Sequence, residues 1–207
     1  TAVMPNPDTP NYSIKMEPLV AKLHQDADQA ASRKELEHLF EEFMHIAEAY
    51  PRKWLPRYYQ SHAALLVSLQ TKGDEARQWI SKAEAALDRV ERMSHDTSER
   101  LVLRAMLLTS RVRLNPMMLG PTLVPRSFQL LEEARAANPN NPRAYYLKGV
   151  NYYHMPAFFG GGCTAAVPHL QQARSLFEQH SPKTNLHPHW GRYQNRKLLQ
   201  ECGIQAG

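Results

Sequence analysis

Residues 142–180 read PRAYYLKGVNYYHMPAFFGGGCTAAVPHLQQARSLFEQH, and their spacing decides the fold. Tyr145, Gly149 and Tyr152 recur at steps of four and three, and Ala166, Leu170 and Ala173 repeat those steps. Such steps line up on one face of a helix. Small residues on two facing stripes let the backbones approach, while bulky ones fill the space to a neighbouring pair. The stretch therefore predicts two antiparallel helices, about 142–154 and 164–180. Phe158-Phe159-Gly160-Gly161-Gly162 interrupts them.

The same steps recur upstream. Ala76, Ile80 and Ala83 follow Ala64 and Val67; Ser127, Leu131 and Ala134 follow Ala105 and Leu108. Two further helical pairs are thus expected, about 56–70 with 74–93 and about 97–114 with 125–137, leaving Asn115–Val124 as an insertion. Leu36, Leu39, Phe40, Phe43, Ile46 and Ala47 form an apolar stripe over about 35–50, preceded by a Ser32/Glu35 capping-box pattern and closed by Pro51. A helix over about 16–28 precedes it, and one over about 191–202 ends at Gly203, the expected C′ residue. No segment shows sustained strand alternation, so the chain is read as all-α.

Over roughly residues 32–180 this pattern resembles the tetratricopeptide-repeat (TPR) family. The resemblance implies degenerate TPR-like antiparallel helical hairpins in a short right-handed α-solenoid. Repeats of that family advance by about 34 residues, whereas Ala64, Ala105 and Gly149 stand further apart. Insertions at Asn115–Val124 and Pro156–Cys163 hold the surplus, and the signature tryptophan is missing. The expected organisation is a flexible tail over 1–13 and one TPR-like domain over 14–207 with a C-terminal capping helix.

Composition narrows the function classes. The 207 residues are 43% hydrophobic and 22% charged, ordinary values for a globular domain. A net charge of +5 with scattered arginines gives no footprint for nucleic acid. No apolar run reaches the length of a membrane span. Cys163 and Cys202 lack C-x-x-C spacing; they either form one bridge or remain two half-buried thiols. No G-x-S-x-G, H-E-x-x-H or paired carboxylate pattern points to catalysis, and no cofactor or catalytic residue is expected.

Candidate binding residues come from three places. First helices of stacked pairs usually line the binding face, and here they carry Tyr58, His62, Arg104, Arg111, Tyr146, Tyr153 and His154, types that give contact area with a polar tip. In the glycine loop, Phe159, Gly160 and Gly161 permit close approach of a ligand, and the following helix start suits an anion. The competing expectation is an elbow that lets Phe158 and Phe159 plug the core. The third is His187-Pro188-His189-Trp190-Gly191, read as a proline-fixed turn whose Trp190 caps the array rather than as a metal site.

Asn141-Pro142-Arg143-Ala144, Phe159-Gly160-Gly161-Gly162 and Leu186-His187-Pro188-His189-Trp190-Gly191 also resemble small exported bacterial TPR proteins and, distantly, the T-component of TRAP transporters. That likeness implies an envelope or periplasmic location and a binding role. The leading expectation is a non-enzymatic scaffold that binds a protein or peptide on its concave face. The alternative is a small-ligand-binding, transport-accessory protein with a pocket between the first helices and the Phe158–Gly162 loop.

Overall fold

A computed structural model of the chain describes residues 10–28, 32–93 and 96–205. Among these, the apolar stripes close into nine α-helices and no strand: α1 (Pro10–Asp28), α2 (Arg33–Ala49), α3 (Leu55–Leu69), α4 (Gly73–Met93), α5 (Thr97–Val112), α6 (Pro116–Ala137), α7 (Pro142–His154), α8 (Cys163–Gln179) and α9 (Arg192–Glu201).

The end signals act as their chemistry requires. The Ser32 hydroxyl accepts from the Glu35 N–H while the Glu35 carboxylate accepts from the Ser32 N–H at 2.9 Å, completing the capping box of α2. At the end of α9, Gly203 takes φ 78°. Its N–H donates to Gln200 O and that of Ile204 to Leu199 O, each at 2.9 Å, the Schellman pattern.

Two boundaries differ from expectation. Helix α1 begins at Pro10, so the last residues of the expected tail are helical, while residues 1–9 lie outside the described residues. Helix α6 begins at Pro116 rather than Pro125, which turns the supposed insertion into about two and a half extra helical turns. Asn115 caps it, accepting from the Met118 N–H at 3.2 Å, and Pro116 at the first position needs no partner for its missing N–H. Pro121 and Pro125 lie within the helix, and the carbonyls left without donors, of Met117 and Pro121, belong to exposed residues that water reaches.

The helices fall into two compact units. In the first, α1 to α4 gather with residues 183–187. Its core joins Met16 and Leu23 of α1, Leu39 and Phe43 of α2, Tyr58 and Tyr59 of α3 and Leu87 of α4. The Phe43 and Tyr59 rings stack at 5.3 Å, and the Tyr59 hydroxyl donates to Leu186 O at 2.7 Å.

The second unit holds α5 to α9, each packing on the next in chain order from α5 through α9. Leu103, Leu107, Leu131, Ala144, Ala166, Leu170 and Phe177 are buried there. A Cβ on Gly149 would stand 2.5 Å from a Leu170 methyl, so glycine lets α7 and α8 approach as closely as they do. These two residues, matched in the sequence by spacing alone, meet in space.

Candidate functional site

Three side chains set the level of α5, α6 and α7 in the second unit. The Thr109 hydroxyl donates to Asn151 Oδ1 at 3.0 Å, and Asn151 Nδ2 donates to Ser127 Oγ at 2.9 Å. From that level α5 and α7 each end within one turn, at Val112 and His154, while α6 starts about three turns away at Pro116. The α5–α6 elbow and the α7–α8 loop therefore share one end of the unit.

Local chemistry shapes that loop. Met155, ahead of Pro156, leaves the helical region (φ −73°, ψ 133°), and Ala157–Phe159 make one 3-10 turn. Gly160 closes the turn with φ 83°, and Gly162 follows with φ 90° and ψ −176°, conformations that cost a side-chain-bearing residue. A Cβ on Gly161 would overlap the Met155 carbonyl. The Gly161 N–H donates to Pro156 O at 3.2 Å and the Gly162 N–H to Tyr152 O at 2.8 Å. These donors serve the loop itself, which removes them from any phosphate cradle.

The geometry turns both phenylalanines outward. Phe158 is 80% exposed and Phe159 69%, with ring centroids 4.0 Å apart. The expectation that they plug the core is corrected: the tight return of the chain to Tyr152 leaves them on the convexity of the turn, where they form an apolar knob. On the elbow at the same end, Met117 and Met118 are 87% and 75% exposed. Four of the large apolar residues exposed in the second unit thus share one end, a concentration that single scattered surface residues do not produce.

Polar groups stand among them. Arg111 is half-buried and Arg113 exposed. His154 ends α7; neighbouring atoms that displace water and then the Arg113 charge hold its pKa below the ordinary histidine value, with Glu201 opposing. The Tyr153 hydroxyl donates to Glu201 Oε2 at 2.9 Å, which holds its own proton more firmly for that reason. Cys163 and Cys202 form a disulfide with Cα atoms 5.4 Å apart, tying the start of α8 to the end of α9. Closing a loop of 39 residues in this way stabilises by roughly 4 kcal/mol in the chain-entropy account.

The sequence candidates separate into distinct places. Tyr153, His154, Phe159, Gly160 and Gly161 come together at the loop end, with Arg111 in the last turn of α5 before the elbow. Tyr58 and His62 sit in the core of the first unit, 0% and 2% exposed, and present no surface. Tyr146 and Trp190 meet each other at 6.4 Å towards the opposite end of α7. Arg104 is half-buried partway along α5.

Near Trp190 the chemistry is a buried ion pair. Arg143 Nη2 reaches Glu99 Oε1 at 2.5 Å, its Nε reaches both carboxylate oxygens, and Asn141 Nδ2 donates to the same acid at 2.8 Å. The Trp190 ring lies 5.9 Å from the guanidinium. His187 of the first unit shares a hydrogen bond with Thr184 at 2.8 Å and packs on Trp54.

Sequence reasoning missed Met117 and Met118 because 115–124 was read as an insertion. The readable signal was Asn115-Pro116, a cap followed by a first-turn proline.

The helices and this end together define a class: an all-α protein with a disulfide-tied loop and an exposed apolar rim beside basic groups. Neither a protein-family model nor a curated protein matches the chain. Among solved structures it is similar to the HusA haemophore from Porphyromonas gingivalis, with 30% identity and a TM-score of 0.81 over 96% of this chain and 95% of that one. The chain belongs to the family of that haemophore.

Proposed function

We propose that the chain is a non-enzymatic, exported binding protein whose ligand is a haem-type tetrapyrrole, held at the loop end of the second unit. The observation that carries this reading is the 30% identity to a haemophore across 95% of its length. It favours the small-ligand alternative of the sequence reading over a peptide groove. A tetrapyrrole is a flat apolar plate with a charged edge. Phe158, Phe159, Met117 and Met118 offer an aromatic and thioether surface suited to such a plate. The Cys163–Cys202 disulfide supports an oxidising, exported location.

We also read the hairpins as degenerate TPR-like units. The support is the Gly149–Leu170 approach in α7 and α8, with Ser127 Oγ donating to Ala105 O at 3.3 Å in α5 and α6 and Ser61 Oγ donating to Ala83 O at 2.8 Å in α3 and α4. The likeness to the TRAP T-component stays a reading of the sequence motifs.

The test is titration of the purified chain with haemin and with iron-free protoporphyrin, following the Soret band and tryptophan fluorescence. A saturable one-to-one transition is expected. Linear, non-saturating spectra with both probes would overturn the proposal.

A further inference from the structure

The α7–α8 loop is held more by its ends than by its side chains. Pro156, Ala157, Phe158, Phe159 and Gly160 are all exposed, so burial does little to fix the turn that carries the two rings. Gly160, Gly161 and Gly162 lack the Cβ that would restrict their backbone. The Gly162 N–H on Tyr152 O, at 2.8 Å, closes the loop onto α7. The next residue is Cys163, the first of α8, and its sulfur is bonded to Cys202 at the end of α9. The covalent tie thus stands directly after the last glycine. Helix α9 keeps its own hold on α8. Leu199 is buried in a cluster with Ala166 and Leu170, Leu198 and Ile204 pack against it, and Asn195 Nδ2 donates to Leu170 O at 3.0 Å. Cutting the disulfide therefore leaves α9 in place and frees the start of α8 and the loop before it. Cys163 and Cys202 are each half-buried, within reach of a small thiol.

We infer that the Cys163–Cys202 bond is a positioning element of the ligand end: it holds the Phe158–Phe159 knob in its binding geometry, so that tetrapyrrole affinity follows the redox state of the bond. The inference rests on the tetrapyrrole reading above and adds to it a control of the same site. The step is a two-electron exchange with a small dithiol. One thiolate of the dithiol attacks a sulfur of the bond and expels the other cysteine. Its second thiol then resolves the mixed disulfide. Cys163 and Cys202 end as two thiols carrying the two protons, and the dithiol ends as a cyclic disulfide. A knob that keeps its binding geometry about a tenth of the time binds roughly 10-fold more weakly.

The experiment uses the full chain and iron-free protoporphyrin, which offers the dithiol no metal to reduce. Three samples are titrated: the oxidised chain, the chain reduced with dithiothreitol, and a Cys163→Ser, Cys202→Ser double variant. The oxidised chain is expected to bind roughly 10-fold more tightly than the other two, and reoxidation should restore the reduced chain. Circular dichroism should show the same helical content in all three. Amide hydrogen exchange should speed up on reduction at Gly161 and Gly162, with the Asn195 and Leu199 amides of α9 unchanged. Equal affinity of the oxidised and reduced chains overturns the inference and leaves the tetrapyrrole reading standing. Exchange that stays flat in the loop overturns it as well. Exchange that rises alike in α9, or a loss of helical signal, overturns it by assigning the bond to the stability of the whole unit. Failure of the oxidised chain to bind protoporphyrin overturns the tetrapyrrole reading and this inference with it.

Discussion

Replacing both loop phenylalanines, Phe158→Ser with Phe159→Ser, separates ligand binding from folding. Each phenylalanine side chain offers up to about 200 Å², so at 80% and 69% exposure the pair presents roughly 300 Å² to solvent. A flat ligand covers one side of the knob, about 150 Å², worth about 4 kcal/mol at roughly 25 cal/mol per Å². Ordering of the loop and ligand offsets part of this. The double variant should therefore weaken tetrapyrrole binding by about 2–4 kcal/mol, roughly 30- to 1000-fold. Stability should hardly move, because exposed substitutions away from caps and cores stay within about 0.5 kcal/mol. Core phenylalanines would behave in the opposite way, at about 3–5 kcal/mol each when truncated. Fluorescence titration with protoporphyrin and thermal unfolding, run on the same preparations, read both quantities. A variant that binds within threefold of wild type refutes the assignment of the knob to the site. One that unfolds several kilocalories more easily refutes the outward placement of the rings.

The Glu99–Arg143 pair, 6% and 2% exposed, leaves an uncompensated charge if one partner is removed. Arg143→Met should cost about 3–5 kcal/mol in urea unfolding, and adding Glu99→Leu should recover most of it; a single variant within about 1 kcal/mol of wild type would count against a dry pair. Stability should also fall as pH drops from 7 to 5. His154, His169 and His180 all have folded-state pKa values held below the ordinary one, chiefly by burial, with Arg113, Lys148 and Arg143 respectively adding to the effect. The unfolded chain therefore takes up protons first, near pH 6.5, and gains in population from there downward. Glu35, lowered by its Ser32 hydrogen bonds, and Glu132, whose Lys148 and Arg135 partners outweigh burial, lose their contributions as pH falls from the ordinary carboxylate range downward, below this window. Melting curves at pH 7, 6 and 5 that coincide, or rise, would contradict the sign.

Much of the helical framework was legible in the chain because its causes are local. Spacing, caps and prolines act within one or two turns, so the hairpin of α7 and α8 and the matched Gly149 and Leu170 could be read without coordinates. Helix α6 was not, since Pro121 and Pro125 carry the local signature of a break. Their lost bonds fall on solvated carbonyls, and solvation is a property of the folded surface rather than of the string.

The site was legible only in part, for the same reason. Gly160, Gly161 and Phe159 were picked out by a composition that announces an unusual backbone. Tyr58, His62 and Trp190 were picked out by residue type, and tertiary packing then buried them. Met117 and Met118 carry no mark of their exposure in their own segment; they stand at the loop end because the antiparallel run of α5, α6 and α7 brings the elbow there. The sequence by itself determined which segments are helical and where small residues let them touch. Only the tertiary structure decided which aromatic rings face water, because burial depends on what the rest of the chain brings to each face.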